Sequence, residues 1–200
     1  MIATALLGTA PLRASAVFTY SIQSVVSASP GTGSFEVDLT NNSGAAAVVD
    51  SFDFGLSMPN ASFTFTSARC DTTLNTYIFA PPATNSIACP AINGNALPDT
   101  ILNAGDVWGG TGAGVSVADG ATVALGEVFF SIAGGVTPGP YVVSFIPADD
   151  SMATVTGALI GPIDDSGTGT ITIAAPEPTT MALLGLTLLP LFWAKRRGRA

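Results

Sequence analysis

Along most of the chain, apolar side chains recur at every second position. Phe18, Tyr20 and Ile22 alternate with polar neighbours, as do Phe35, Val37 and Leu39, and then Phe52, Phe54, Leu56 and Met58. The spacing returns at Phe63 and Phe65, at Val128, Phe130 and Ile132, at Val143 and Phe145, and at Ile171 and Ile173. A period of two describes strands with one buried face. Turn-forming clusters separate the runs: Pro30-Gly31, Asn41-Asn42-Ser43-Gly44, Pro59-Asn60, Asp119-Gly120, Thr137-Pro138-Gly139-Pro140 and Asp164-Asp165-Ser166-Gly167. No stretch before residue 179 carries a 3.6-residue apolar stripe. The pattern predicts an all-β domain over residues 17–175, a single sandwich of jelly-roll type with roughly eight to ten strands.

The two ends break this pattern. Met1 to Ala16 contains a short apolar run, then Pro11, then Ala14-Ser15-Ala16, and the small residues Ala14 and Ala16 mark a cleavage site for an export leader. No Lys or Arg precedes the run, so the leader reads as shortened at its start. At the other end Pro176-Glu177-Pro178 is followed by an apolar stretch carrying Thr179, Met181, Leu183, Leu184, Leu186, Leu188, Leu189, Leu191, Phe192 and Trp193. Lys195, Arg196, Arg197 and Arg199 close the chain. The prolines stop a helix from extending backward, so the pattern predicts a transmembrane helix that begins abruptly near Thr179. Residues 179–194 make 16 positions, roughly 24 Å of helix at ~1.5 Å per residue. That is short for a permanent span. The basic cluster acts as a stop that stays on the cytoplasmic side of the inner membrane and leaves the rest outside.

Charge sharpens the picture of the middle. Only 10% of residues are charged, and there is no histidine, which excludes Ser-His-Asp triads, Cys-His pairs and histidine-ligated zinc. Between residues 17 and 175 Arg69 is the one basic side chain against thirteen acids, a net charge of −12. Such a domain repels phosphate backbones, so nucleic acid is excluded as a partner.

The three ordered parts of residues 176–200 resemble the PEP-CTERM sorting signal: Pro176-Glu177-Pro178, the run with Leu183-Leu184-Gly185-Leu186 and Leu188-Leu189, and Lys195-Arg196-Arg197. Pro190 inside the apolar run and the bulky Phe192-Trp193 depart from the family pattern without removing a part of it. The resemblance implies recognition by an exosortase, a membrane protease that processes the tail, and a host that makes extracellular polysaccharide. Two internal segments are similar to cohesin-type sandwich modules. These are Ser34 to Asn42 leading into Val49 to Met58, and Thr122 to Phe145 with Leu125-Gly126-Glu127-Val128-Phe129-Phe130.

Cys70 and Cys89, the only cysteines, most simply form one disulfide in an exported chain. Closing a loop of about 20 residues stabilises a fold by roughly 3 kcal/mol in the chain-entropy model. Free thiols are the alternative, with no base to activate them. Asp149-Asp150 and Asp164-Asp165 are candidate calcium ligands, calcium being the one cofactor the chain calls to mind; Asx turns and solvation explain the same pairs. Trp108-Gly109-Gly110 and Tyr77 are candidates for stacking on sugar rings, or for capping the core. Asn41-Asn42-Ser43 and Asn60-Ala61-Ser62 match the glycosylation sequon and carry little weight in a bacterial host. The sequence therefore leads to a non-enzymatic surface or matrix protein with a structural or adhesive role. Its alternatives are a polysaccharide- or calcium-binding module and, behind both, a hydrolase.

Overall fold

A computed structural model of the chain describes residues 18–92, 94 and 96–175. Ala14, Ala16, the Pro176-Glu177-Pro178 motif, the apolar stretch from Thr179 to Trp193 and the basic cluster from Lys195 to Arg199 lie outside the described residues. Among those described, no helix is long and apolar enough to cross a membrane.

The alternating runs become strands. In chain order these are β1 (Phe18–Ile22), β2 (Val25–Ser27), β3 (Gly31–Asn41), β4 (Ala47–Val49), β5 (Ser51–Ser57), β6 (Phe63–Arg69) and β7 (Ala91–Ile92). They continue with β8 (Ile101–Val107), β9 (Val115–Val117), β10 (Thr122–Ile132), β11 (Gly139–Phe145), β12 (Ser151–Ala153), β13 (Ile163–Asp164) and β14 (Thr168–Ile173). The count exceeds the expected eight to ten because β2, β4, β7, β9, β12 and β13 have only two or three residues, too few to show a period. A four-residue helical turn, Pro82–Asn85, and a 3-10 turn, Pro147–Asp149, interrupt the strands.

Two sheets face each other. One has the order β13-β1-β3-β10-β6, the other β2-β14-β11-β5-β8-β7, with β12 also paired to β5. β4 and β9 pair in a small separate ribbon whose Val49 and Val117 are buried in the core. The long β3 and β10 are antiparallel neighbours, interrupted by a bulge between Ala124 and Gly126. Strand alternation sends Phe18, Tyr20, Phe35, Val37, Leu39, Phe65, Val128 and Phe130 from one sheet against Phe52, Phe54, Leu56, Leu102, Val143, Phe145 and Ile171 from the other, all buried. Aromatic rings link across this interior. Tyr20 and Phe145 have centroids 5.7 Å apart, and Phe52 and Phe79 5.6 Å.

Candidate functional site

Cys70 and Cys89 are joined, with Cα atoms 5.0 Å apart, and the loop they close is tied down at three places. On the first sheet, Glu36 of β3 is 1% exposed although it lies on the strand's outward side. Its Oε1 accepts the backbone N–H of Thr73 and of Leu74 (2.6 Å), and its Oε2 accepts that of Asn75 (3.0 Å). Three successive amides thus form an anion-holding nest around one carboxylate. Next, Ala124 at the β10 bulge exchanges backbone hydrogen bonds with Thr76 and Ile78, so the loop extends the sheet beyond the end of β6. On the second sheet, Asp106 of β8 is 2% exposed and accepts the hydroxyls of Tyr77 and Ser86 and the N–H groups of Ala88 (2.8 Å) and Val107 (2.7 Å). One buried carboxylate from each sheet therefore grips each half of the disulfide loop.

Sequence reading passed over both acids. Glu36 sits where alternation predicts solvent, and Asp106 follows Leu102 and Ala104 at a position where an apolar side chain is expected.

The loop also settles the aromatic candidates. Tyr77 is 3% exposed, and burial, helped by its hydrogen bond to Asp106 and that group's charge, pushes its phenol well above the usual range. Trp108 is half-buried, packs 5.9 Å from Phe79 and lies directly against Gly110, while its Nε1 is buried without a partner. Tyr77 is enclosed in the core, and Trp108 packs against the core while keeping part of its surface exposed. Asn41 is fully buried and its amide bonds Ala45 and Val117, so the first sequon is closed to modification.

The four aspartates suggested for calcium do not converge as a set. Among the described residues, no group of three or more His, Cys, Asp or Glu is placed to hold a metal ion. Asp164 is taken up by its own turn, accepting from the Ser166 N–H (3.1 Å) and hydroxyl (2.6 Å), which holds its carboxyl below the usual range. Asp149 lies against Gly55, and the Asn103 amide, in the orientation that satisfies its neighbours, donates to its Oδ2 at 3.2 Å. Asp150 and Asp165 do come together, lining a cavity of about 250 Å³ with Pro147, Met152, Leu159 and Ile163. Asp150 Oδ1 accepts the Gly55 N–H at 2.8 Å, and burial, with the Asp165 and Asp149 charges, pushes its carboxyl up to about 7. Asp38 beside the Glu36 nest is likewise pushed up to about 6, by burial first and by Glu36, against a hydrogen bond from Asn75.

The outer face of β3, β10 and β6 is of a different kind. Arg69 is exposed and lies over the half-buried Phe129 ring, 4.9 Å from its centroid. Thr32, Ser34, Thr66 and Ser67 surround the pair in a shallow cavity of about 350 Å³. The Ser34 hydroxyl donates to Glu127 Oε1 at 2.6 Å, and Thr64 and Ser131 bond each other at 2.9 Å, so the hydroxyl platform is held in place.

Two facing sheets with a long central antiparallel pair and short edge strands define a cohesin-like sandwich. The domain is similar to the cohesin in a cohesin–dockerin complex of Clostridium acetobutylicum (TM-score 0.58, 17% identity, 78% of this chain and 99% of that one). It is also similar to one in a type I cohesin–dockerin complex of Clostridium thermocellum (TM-score 0.54, 17% identity, 79% and 99%). A non-cellulosomal cohesin of the archaeon Archaeoglobus fulgidus shares the fold as well (TM-score 0.52, 13% identity, 82% and 96%). No family model matches the sequence, and comparison with curated proteins finds no relative.

Proposed function

We propose that this chain is an exported, non-catalytic adhesion module that works by protein–protein contact at the cell surface or in the extracellular matrix. Residues 176–200 deliver it, held first in the inner membrane and then processed by an exosortase-type protease. The cohesin-like sandwich carries this reading, since solved structures of that fold include complexes with dockerins. The buried acids support it. Glu36 and Asp106 are engaged by backbone amides and hydroxyls that fasten a loop, a structural use of carboxylates rather than a reactive one. The contact surface in this reading is the Arg69–Phe129 face, where a cation over an aromatic ring sits on a fixed, flat platform.

Deleting the gene and scoring cell aggregation and matrix composition tests the role. Aggregation should fall, return with the wild-type gene, and stay low with an Arg69→Ala, Phe129→Ala variant that still reaches the surface. Unchanged aggregation in the deletion strain, or turnover of a polymer by the purified protein, would overturn the adhesive reading. Delivery has a separate test, the intact mass of protein recovered from the surface. A mass that still contains Met181 to Ala200 would sink tail processing.

A further inference from the structure

Residues 146–167 cross the open edge of the sandwich from one sheet to the other. Leaving β11, the chain reaches β5 again through β12, where Ser151, Met152 and Ala153 pair with Asp53, Phe52 and Ser51. It then turns back at residues 154–158, with the Thr154 N–H on Ala158 O and Ile160 N–H on Met152 O, and joins β1 in parallel through Ile163 and Asp164. The segment is attached lightly at its far end. β13 has two residues, and Val155 and Leu159 are 56% and 80% exposed.

Its middle is pinned by Asp150. Between the end of β11 and the start of β12 no strand covers Gly55, and the Asp150 carboxylate accepts the N–H that a neighbouring strand would otherwise take. The second oxygen, Oδ2, is buried and receives no N–H or hydroxyl from the described residues. Asp165, in the turn that follows β13, lines the same cavity, and its charge acts on the Asp150 carboxyl.

The remaining titratable groups around Asp150 make the place more anionic. Asp149 comes from the preceding 3-10 turn and Asp53 from β5, and the Tyr20 hydroxyl from β1 donates to Ser151 O at 3.1 Å. Burial and the charges of Asp150, Asp53 and Asp165 raise the Tyr20 phenol, which therefore stays neutral. Asp164 beside them keeps its charge through Ser166. No basic side chain close by offsets these groups within residues 17–175. Arg69, the one basic side chain there, is on β6, and the order β13-β1-β3-β10-β6 places it at the opposite edge of the sheet. Four strand spacings of ~4.8 Å put it roughly 19 Å away, beyond the ~8 Å screening length of physiological salt.

We propose that residues 146–167 form a proton-locked strap, closed when the Asp150 carboxyl holds a proton and donates it to Asp165, and loosened when Asp150 is ionised. With the proton present, Asp150 donates to the Asp165 carboxyl and joins the β13 turn to β12. With the proton gone, two like charges face each other in a partly desolvated cavity, and Asp165, on the less firmly attached side, moves outward with β13. Loosening uncovers the backbone edge of Phe18 and Thr19, to which β13 is paired, and exposes an open strand on the sandwich. The elevated Asp150 carboxyl places the transition close to neutral pH.

Hydrogen exchange on the full chain in detergent micelles, at pH 5.5 and pH 8 and normalised for intrinsic exchange, tests this. Protection at residues 154–167 should fall by about tenfold or more at the higher pH, about one decade for each pH unit over which the closed Asp150 carboxyl alone keeps its proton, while β3 and β10 lose no more than the Asp38 titration accounts for. Asp150→Asn supplies an amide that donates to Asp165 as the protonated acid would, and should hold the strap protected at both pH values. Asp165→Asn should do the same from the other side, so failure of one variant to fold leaves the other informative. Asp38→Asn, remote from the strap, should leave the pH dependence intact. Equal wild-type protection at the two pH values would overturn the proposal, as would a pH dependence that survives both Asp150→Asn and Asp165→Asn.

Discussion

The Tyr77 hydroxyl donates to the Asp106 carboxylate inside the protein, so a residue of the disulfide loop is bonded to the end of β8 in the second sheet. Ser86 joins the same carboxylate from the other side of the helical turn, and its hydroxyl in turn accepts the Cys89 N–H at 2.9 Å. One carboxylate thus organises the loop up to its second cysteine.

Tyr77→Phe keeps the ring against Phe52 and Phe79 and removes only the donor. It should lower unfolding free energy by ~1–3 kcal/mol in urea denaturation, the range for a buried charged acceptor that loses one partner. Asp106→Asn should cost more, because an amide nitrogen would then face donors where an oxygen now accepts them. A smaller loss for Asp106→Asn than for Tyr77→Phe would refute this ranking.

Glu36→Gln makes the same replacement in the amide nest. One of two accepting oxygens becomes a donor pointed at the Thr73 and Leu74 amides or at that of Asn75. A loss of ~2–3 kcal/mol is expected, with hydrogen exchange rising first at residues 72–76 rather than throughout β3. Uniform acceleration along β3 would show that Glu36 supports the sheet and not the loop.

Removing the disulfide with Cys70→Ala and Cys89→Ala should cost ~3 kcal/mol in the chain-entropy model. Combined with Glu36→Gln, the total should fall short of the sum. A loop already released by one change has less order to lose through the other. Strict additivity would mean that the nest and the disulfide act on different states.

How much of this was legible follows from what faces each strand. β3, β5 and β10 were readable because Phe35, Val37 and Leu39, then Phe52, Phe54 and Leu56, then Val128, Phe130 and Ile132 place uninterrupted apolar side chains on one side. β8 was not, since its inward series of Leu102, Ala104 and Asp106 ends on a buried carboxylate. Its partners Tyr77, Ser86 and Ala88 lie 18 to 29 positions away, beyond the reach of any local pattern. The cohesin-like segments were visible because β3 and β10 are long enough, at 11 residues each, to show a clear period. The short edge strands were hidden because two or three residues carry no period. Arg69 was noticed as an isolated charge, but its place over Phe129 depends on the β6–β10 register.

Titration of Asp38 gives a signed expectation. Its folded carboxyl is raised to about 6, against roughly 3.9 in an unfolded chain. The native state therefore holds more protons between these values, and stability from this group falls as pH rises from about 4 to about 6, then levels. Asp38→Asn should gain on the wild type across that window in urea midpoints measured at pH 4, 5, 6 and 7. A difference that is flat, or that runs the other way, would show that Asp38 is not held protonated by its surroundings.

Gly105 is among the glycines of the sandwich that leave no room for a side chain. It pairs with Asp53 in the β5–β8 ladder, and a Cβ there would lie 2.1 Å from Asp53 Oδ1 and 2.5 Å from Phe52 O. A side chain can move aside, but the Phe52 carbonyl belongs to a central strand and cannot. Gly105→Ala should therefore cost about 3 kcal/mol, the upper part of the range for overpacking. Gly120→Ala, in a turn with φ +73 and nothing within 4 Å, should cost only its conformational penalty of about 1 kcal/mol. Asp53→Ala added to Gly105→Ala removes the first clash and leaves the second, so the double variant should remain well below the Asp53→Ala protein in urea midpoint. Full recovery in that double variant would mean that the Asp53 side chain alone, and not the backbone of β5, requires glycine at this position.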